Sequence, residues 1–268
     1  MKHEEFFRRH PVFSGGEFAE YLNSRGGYGA RAQEALLAYH RRTGKLVQIK
    51  RGLYAVIPAG EIGNTWPVDP FLITGKVTPD AVLSYHTALA FHGRSYSMRN
   101  EFFYSSVRPA SSFTFRAQRF RGSRFPIGLT KTDSTDIGVL LAERQGVTLR
   151  VTSLERTLVD VLDRPRLSGS WEEIWRSLES IEFFSIDSVI TYTSLLGNAT
   201  TAAKVGFYLE QHREILMVEE QHLGQLRALR PRQAHYLDRG SRVSGKFVAK
   251  WNLVVPEDIY HARWGEIA

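Results

Sequence analysis

The chain of 268 residues contains no cysteine, and no run of it has the length and apolar character of a membrane span. The lack of cysteine excludes disulfide bonds, thiolate metal sites, iron–sulfur clusters and cysteine nucleophiles. The amino terminus also lacks the apolar segment of a signal peptide, so we expect a cytoplasmic protein with no membrane partner. With 43% hydrophobic and 24% charged residues, the chain can bury a substantial core.

Acidic residues are scarce in two parts of the chain, although the net charge of the whole is only +7. Residues 1–57 contain ten Lys or Arg against five Asp or Glu, and residues 94–131 contain eight basic residues against one acid, Glu101. Residues 132–200 have the opposite excess, with six basic and eleven acidic residues. Such segregation of charge favours a polyanionic partner, usually DNA or RNA.

Residues 1–57 have the pattern of a winged helix-turn-helix, in which two helices, a tight turn and a third helix precede a two-stranded hairpin. Ser14 and Glu17 have the spacing of a capping box, and Phe13 and Phe18 have that of a hydrophobic staple. The tight turn is predicted at the two glycines that follow Arg25. The third helix is predicted between residues 30 and 43, with an apolar stripe towards the core made of Ala32, Ala35, Leu36 and Tyr39.

The hairpin is predicted over residues 46–57, with Lys50 and Arg51 at its tip. A basic tip of this kind could touch phosphates or enter the minor groove, whereas the alternatives are a solvated tip or a module that docks proteins. Charge and element order together favour DNA. In this interpretation Arg31 pairs with guanine and Gln33 with adenine. The full set of candidate DNA contacts, chosen by helix geometry and charge, is Tyr28, Arg31, Gln33, Glu34, Arg41, Lys50 and Arg51.

The rest of the chain predicts a larger domain with mixed α and β structure, so we expect an α+β fold with domains at residues 1–60 and 61–268. One helix is predicted from Thr78 to Gly93. A small, mainly antiparallel sheet follows, with strands at residues 101–107, 112–116, 125–129, 138–142 and 147–151. The capping box Thr152 to Glu155 then begins a series of helices that end near residues 164, 181, 195, 211 and 229, followed by strands at 246–248 and 250–255.

Five groups of residues along the chain together point to a known family. They are Arg51-Gly52-Leu53-Tyr54, Leu83-Ser84-Tyr85-His86-Thr87-Ala88-Leu89 with His92-Gly93, Thr152-Ser153-Leu154-Glu155-Arg156-Thr157-Leu158-Val159-Asp160, Gly206-Phe207-Tyr208-Leu209 and Trp251-Asn252-Leu253-Val254-Val255-Pro256. These strings occur in the order seen in AbiEi-family antitoxins, and the chain resembles that family over nearly its whole length. The resemblance implies a type IV antitoxin encoded beside a nucleotidyltransferase-like toxin, whose effect it opposes without a stable complex being required. It also implies that the winged helix represses its own promoter at inverted repeats in double-stranded DNA.

The basic block at residues 94–131 has three interpretations. It extends the DNA footprint, it binds an RNA substrate of the toxin, or it is a sheet face neutralised by the acidic helices of residues 132–200. The first two interpretations make the block a second basic patch that serves antitoxin activity or nucleic-acid binding. Its candidate residues are Arg94, Arg99, Arg116, Arg119, Arg121 and Arg124.

A metal-dependent nuclease is the rival class, because acidic residues and histidines cluster on two predicted helices. His86 and His92 are six residues apart, which does not match the i, i+4 spacing of a helical metal pair. Glu155 is better explained by its capping box, and Asp160 and Asp163 by a solvated or salt-bridged helix face. We therefore predict no enzyme, no cofactor and no metal site, with a general winged-helix repressor without a toxin as the other alternative.

Overall fold

The computed structural model describes residues 3–63, 65–238 and 245–262. These residues have a mixed α+β fold that divides into two compact units. Unit 1 takes in the described residues of 1–83, 99–124 and 140–151, and unit 2 those of 84–98, 125–139 and 152–268. The division does not coincide with the boundary expected at residue 60, because later segments of the chain join the amino-terminal part. Whether residues 1–60 function as a separate domain stays a prediction.

The amino-terminal part of unit 1 contains three helices and a three-stranded antiparallel sheet, in the strand order β1-β3-β2. The Ser14 capping box is confirmed, because the Glu17 amide donates to Ser14 Oγ at 3.1 Å and the Ser14 amide donates to Glu17 Oε2 at 2.7 Å. The elements in chain order are α1 (Glu4–Arg9), β1 (Val12–Ser14), α2 (Gly15–Asn23), α3 (Ala30–Arg42), β2 (Leu46–Lys50) and β3 (Leu53–Val56).

These elements enclose a core made largely of aromatic rings. Phe13 and Phe18 are fully buried, with their ring centroids 5.8 Å apart, as the staple predicts. Of the predicted stripe of α3 only Leu36 packs against the core: Ala32, Ala35 and Tyr39 are exposed, Tyr39 by 51%, and Leu37 and His40 are the buried residues of the helix. Alanine and leucine occur on both sides of this helix, so its sequence period does not single out one face. The cluster consists of Phe6, Phe7, Phe13, Phe18, Leu22, Leu37, Leu46 and Tyr54.

A six-stranded sheet, nearly all of it in unit 1, has the order β6-β7-β5-β4-β9-β8. It is mixed rather than mainly antiparallel, because β5 pairs in parallel with β7, and β4 with β9. The pairs β4–β5 and β6–β7 are antiparallel. The elements are α4 (Pro70–Gly75), β4 (Val82–Leu83), α5 (His86–Phe91), β5 (Glu101–Ser106), β6 (Phe113–Phe115), β7 (Gln118–Arg124), α6 (Ile127–Lys131), β8 (Val139–Arg144) and β9 (Val147–Thr152).

Two predictions in this region are wrong. The strand expected at residues 125–129 is replaced by α6, and β7 precedes it unpredicted. The single helix expected from Thr78 is a strand, β4, followed by the short α5. Tyr85 adopts φ 59° and ψ −136° between them, a sharp turn that a run of apolar residues does not reveal. Asp80 also lies outside any helix. Its carboxylate accepts hydrogen bonds from Ser106 Oγ and the Val107 amide, both at 2.7 Å.

The long helices of unit 2 confirm the predicted helical region, and they pack around fully buried Trp175 and Trp251. A second three-stranded sheet has the order β10-β12-β11. The elements are α7 (Leu154–Asp163), a 3₁₀ turn (Pro165–Leu167), α8 (Trp171–Glu179), α9 (Ile186–Leu196), α10 (Ala199–Gln211), α11 (Glu220–Leu229), β10 (His235–Tyr236), β11 (Gly245–Val248), β12 (Leu253–Pro256) and α12 (Glu257–Tyr260). Across the described ranges, no helix combines the length and the apolar character needed to cross a bilayer.

The cap of α7 lies one residue later than predicted. Ser153, rather than Thr152, accepts from the Arg156 amide, and Glu155 accepts from the Ser185 amide at 3.3 Å. Of the two alternatives expected for Asp160, a solvated or a salt-bridged helix face, the structure shows the salt bridge, with Arg156 one turn earlier in α7. Asp160 is 2% exposed and accepts hydrogen bonds from Arg156 Nε at 3.3 Å and Tyr192 Oη at 2.7 Å.

Candidate nucleic-acid interface

The outward face of α3 is the strongest candidate for contact with nucleic acid. Burial of Leu37 and His40 turns Arg31, Ala35, Ala38 and Arg42 outward, at the spacing i, i+4, i+7 and i+11 of one helix face. Glu34 and Arg41 are exposed beside this face. The structure gives Arg31, Arg41 and Arg42 no ion pair or side-chain hydrogen bond with any described residue.

The small side chains on this face allow a partner to approach the helix backbone closely. Ala35 and Ala38 lie between the guanidinium groups of Arg31 and Arg42, so the helix is flat in its middle and cationic at both ends. The sequence placed Arg42 off the apolar stripe but did not count it among the DNA contacts, and it assigned Ala35 to the side that faces the core. A second helical period in the sequence runs through Gln33, Leu36, Leu37 and His40, and it matches the buried and half-buried positions. Choosing this period as the core side would have identified the outward face.

Two of the predicted DNA contacts, Gln33 and Tyr28, have structural contacts at the turn before α3. The Gln33 amide donates to the Tyr28 carbonyl at 2.9 Å and to Asn23 Oδ1, at the end of α2, at 3.4 Å. Tyr28 is half-buried and packs against the aromatic core. Gln33 therefore holds the turn in place, and breaking these bonds to reach a base would cost part of that support.

The hairpin presents one exposed cation at its tip rather than two. Arg51 is exposed beside Gly52, whose φ of 78° permits the tight turn. Lys50 is half-buried, and its Nζ lies 5.1 Å from the centre of the Phe113 ring on β6. Burial lowers the pKa of Lys50. Lys50 therefore anchors the hairpin to the six-stranded sheet.

An open groove of about 570 Å³ joins the carboxyl-terminal end of α3 to β2. Arg41 and Arg42, at the end of α3, thus line the same groove as one side of the hairpin. The groove is lined by Ala38, Arg41, Arg42, Leu46, Val47 and Gln48.

The structure divides the second basic block between the two units, with Arg94 in unit 2 and the other five candidates in unit 1. Arg94 belongs to unit 2, where its guanidinium donates to the Ser180 carbonyl at 2.8 Å. Arg116 belongs to unit 1 and donates to the carbonyls of Gly63 and Trp66. Both side chains hold neighbouring segments of their own unit together. Arg124 is exposed at the end of β7.

Three arginines of this block surround a single carboxylate. The distances from Glu101 oxygens to the nearest guanidinium nitrogens are 3.5 Å for Arg99 and 3.6 Å for both Arg119 and Arg121. The parallel pairing of β5 with β7 places Glu101 opposite Arg119. Three positive groups against one negative group leave a local charge of +2, and the side chains of Arg119 and Arg121 are 60% and 45% exposed.

The residues considered for an enzyme are engaged in structural contacts. His86 Nε2 lies 3.1 Å from Glu173 Oε1, and His92 Nε2 lies 2.8 Å from the Thr152 carbonyl oxygen. Burial acts to raise the pKa of Glu173, but hydrogen bonds from Ser97 and the nearby His86 lower it overall. Within the described ranges, no group of three or more His, Asp or Glu side chains is arranged to hold a metal ion.

No family model matches the chain, and a search of curated proteins found no match. Among solved structures, the chain is similar to the RV2827C protein from Mycobacterium tuberculosis, with a TM-score of 0.56 and 17% sequence identity. The two share a fold. The similarity covers 94% of this chain and 89% of that one, so it includes both units. At this level of identity it concerns the fold alone.

Proposed function

We propose that residues 3–57 form a winged helix-turn-helix that binds double-stranded DNA through α3. The observation that carries the proposal is the outward face of α3, where Arg31, Arg42 and the adjacent Arg41 have no partner among the described residues while alanines leave the middle of the face flat. Such a helix fits a major groove, because its cations meet phosphates and its small side chains admit base edges. The element order of three helices followed by a hairpin supports the same function.

In this arrangement each cation has a distinct role. Arg31, near the amino end of α3, pairs with a guanine, and Arg41 and Arg42 contact phosphates. Arg51 at the hairpin tip reaches a flanking phosphate or the minor groove. Inverted repeats then require two copies of the chain, one for each half-site. Regulation of a promoter in this way takes place in the cytoplasm.

The cluster around Glu101 extends the DNA footprint in this proposal, through its local charge of +2. Reversing the charge of Arg119, Arg121 and Arg124 separates this role from the RNA alternative. Weaker repression with intact toxin protection supports a DNA footprint. Lost protection with intact repression supports an RNA substrate instead.

We propose further that the chain is the antitoxin of a type IV system and counters a nucleotidyltransferase toxin. The order of the AbiEi-like strings along the chain supports this role. Many residues of those strings are buried, including Tyr85, His86, Arg156 and Asp160, so they maintain the fold of unit 2 rather than form an exposed surface.

A mobility shift with the chain's own upstream DNA tests DNA binding, and Arg31→Ala is the informative variant. Arg31→Ala is expected to weaken operator binding by about 1–3 kcal/mol and to relax the preference for operator over random DNA. Lys131→Ala, at an exposed position of α6, is the control and should leave both unchanged. Co-expression with an adjacent nucleotidyltransferase gene tests the antitoxin role, since rescue of growth separates it from a general repressor.

A further inference from the structure

A second basic groove lies in unit 2, at the carboxyl-terminal end of α11. It is open and has a volume of about 670 Å³. The DNA-binding proposal uses none of its residues, and the sequence patterns did not single it out. Among the residues that the structure describes, no acidic side chain lines it. The lining residues are Gly224, Arg227, Ala228, Arg230, Pro231, Arg232 and Asn252.

Two of the three arginines in this groove are not neutralised. Arg227 Nη2 forms an ion pair with Glu220, whose carboxylate also binds Arg213 at 3.2 Å. Arg230 and Arg232, in contrast, have no ion pair or side-chain hydrogen bond with any described residue. Arg230 is half-buried and Arg232 is exposed. The groove therefore has an excess of positive charge directed to solvent.

The backbone that carries these two arginines is held in place by neighbouring residues. Pro231 is buried between them, and its carbonyl accepts a hydrogen bond from Asn252 Nδ2 at 2.8 Å. Asn252 has a φ of 50°, and its own carbonyl accepts from the His235 amide at 2.9 Å. Because Pro231 and Asn252 order this segment in advance, a ligand pays little entropy to fix it.

The dipole of α11 accounts for Arg227 but not for Arg232. Cations near the end of a helix interact favourably with its dipole, and Arg227, in the last turn of α11, is placed to do so. The effect is confined to the last turn, whereas Arg232 lies three residues beyond Leu229, the final residue of α11. Arg232 therefore needs another explanation, and a binding role supplies one.

We infer that this groove binds the phosphodiester backbone of a nucleic acid through Arg230 and Arg232. The planar guanidinium group matches two phosphate oxygens at once, which makes arginine the preferred side chain for such contacts. An open groove suits an extended polymer, whereas a small phosphorylated molecule is usually enclosed by its pocket. The groove is a site separate from α3, and its role does not depend on promoter binding.

The test measures fluorescence anisotropy with labelled probes and the full-length chain carrying Arg230→Gln and Arg232→Gln. The probes are a single-stranded RNA and a random-sequence DNA duplex, each of about 20 nucleotides or base pairs, titrated between about 50 and 200 mM salt. All proteins also carry Arg31→Ala and Arg42→Ala, so that the result is independent of α3. The charge-matched control carries Lys131→Gln and Arg166→Gln, two exposed positions of unit 2.

The groove variant is expected to lose on the order of 10-fold in affinity at low salt for at least one probe. The slope of log K against log salt should become shallower by about 1.4 for RNA or about 1.8 for duplex DNA, as two lost phosphate contacts predict. A loss with RNA, with DNA or with both supports the site and identifies the polymer. Equal losses of affinity in the groove and control variants would overturn the site. Unchanged affinity of the groove variant for both probes would overturn it as well.

Thermal melting shows whether the glutamine variant remains folded. Should it melt early, Arg230→Lys with Arg232→Lys provides the second variant, because lysine retains the charge and loses the bidentate geometry. That variant is expected to show a smaller loss of affinity with an unchanged salt slope. Wild-type affinity in a folded lysine variant would contradict the assignment, and so would a loss no larger than that of the control pair.

Discussion

Removal of the three exposed arginines of α3 should flatten the salt dependence of DNA binding. Each phosphate contact contributes about 0.9 to the slope of log K against log salt for duplex DNA, so the two contacts assigned to Arg41 and Arg42 contribute about 1.8. A change from about 50 to 200 mM salt is roughly 0.6 logarithmic units, which makes the difference between wild type and variant roughly 12-fold over that range. This effect rests on Arg41 and Arg42 being unpartnered among the described residues.

The assay is fluorescence anisotropy of the chain's upstream DNA duplex against the full-length protein at several salt concentrations. The test protein carries Arg31→Ala, Arg41→Ala and Arg42→Ala. The control carries alanine at Arg8, Lys131 and Arg166, three exposed positions that are not part of α3, and loses the same charge. The control slope should stay within about one unit of the wild-type slope.

An equal reduction of slope in the two triple variants would refute the assignment of α3, since only net charge would then matter.

Gln33→Ala provides an additional comparison. Its amide holds the turn between α2 and α3, so the expected result is a loss of about 1 kcal/mol in folding stability with sequence preference retained. Altered base preference in a folded Gln33→Ala protein would return Gln33 to the set of base contacts.

Three further predictions concern stability. Gly206→Ala should destabilise the chain by about 1–3 kcal/mol or more in urea, because an added Cβ would lie 2.2 Å from the fully buried Trp251 ring. Asp160→Asn should cost about 3–5 kcal/mol in the same assay, since it leaves the Arg156 charge buried without its counter-charge. Burial lowers the pKa of His40 below 6.5, so the unfolded state binds the proton more readily than the folded state. Folding stability should therefore fall as the pH drops below 6.5. His40→Gln should reduce this loss of stability, as measured by thermal melts at pH 7 and about 5.5.

Each of these predictions has a control. Gly224→Ala, on α11, meets only the end of the Arg227 side chain at 3.8 Å, so it should stabilise the helix by up to about 1 kcal/mol. Asp187→Asn, on the surface of α9, should change the urea midpoint little. A His40→Gln protein whose stability falls with pH as steeply as wild type would show that other groups carry the loss.

Local interactions made several elements predictable. The Ser14 cap joins residues three positions apart, and α10 follows its predicted limits of residues 199–211 because Asn198 caps it directly. The long helices of unit 2 were predictable for the same reason, since cap and apolar period occur within one short segment. At α7 the same reasoning erred by one residue, because Thr152 and Ser153 can both serve as the cap.

Contacts between distant residues decided the remainder. The parallel pairing of β5 with β7, and with it the position of Glu101 opposite Arg119, depends on strands that no local rule joins. Lys50 was expected at an exposed tip, but Phe113 from a distant strand covers it. The groove at Arg230 and Arg232 likewise requires Asn252, which comes from a later part of the chain.

For α3, the sequence by itself determined that a helix forms and that it is rich in arginine. Only the tertiary structure decided which side of it meets the aromatic core, because alanine and leucine are compatible with either orientation. The close packing of Leu37 and His40 with Phe7 and its neighbours selects one of them and thereby exposes Arg31 and Arg42. The candidate interface is thus a consequence of packing, which no period within a single helix can specify.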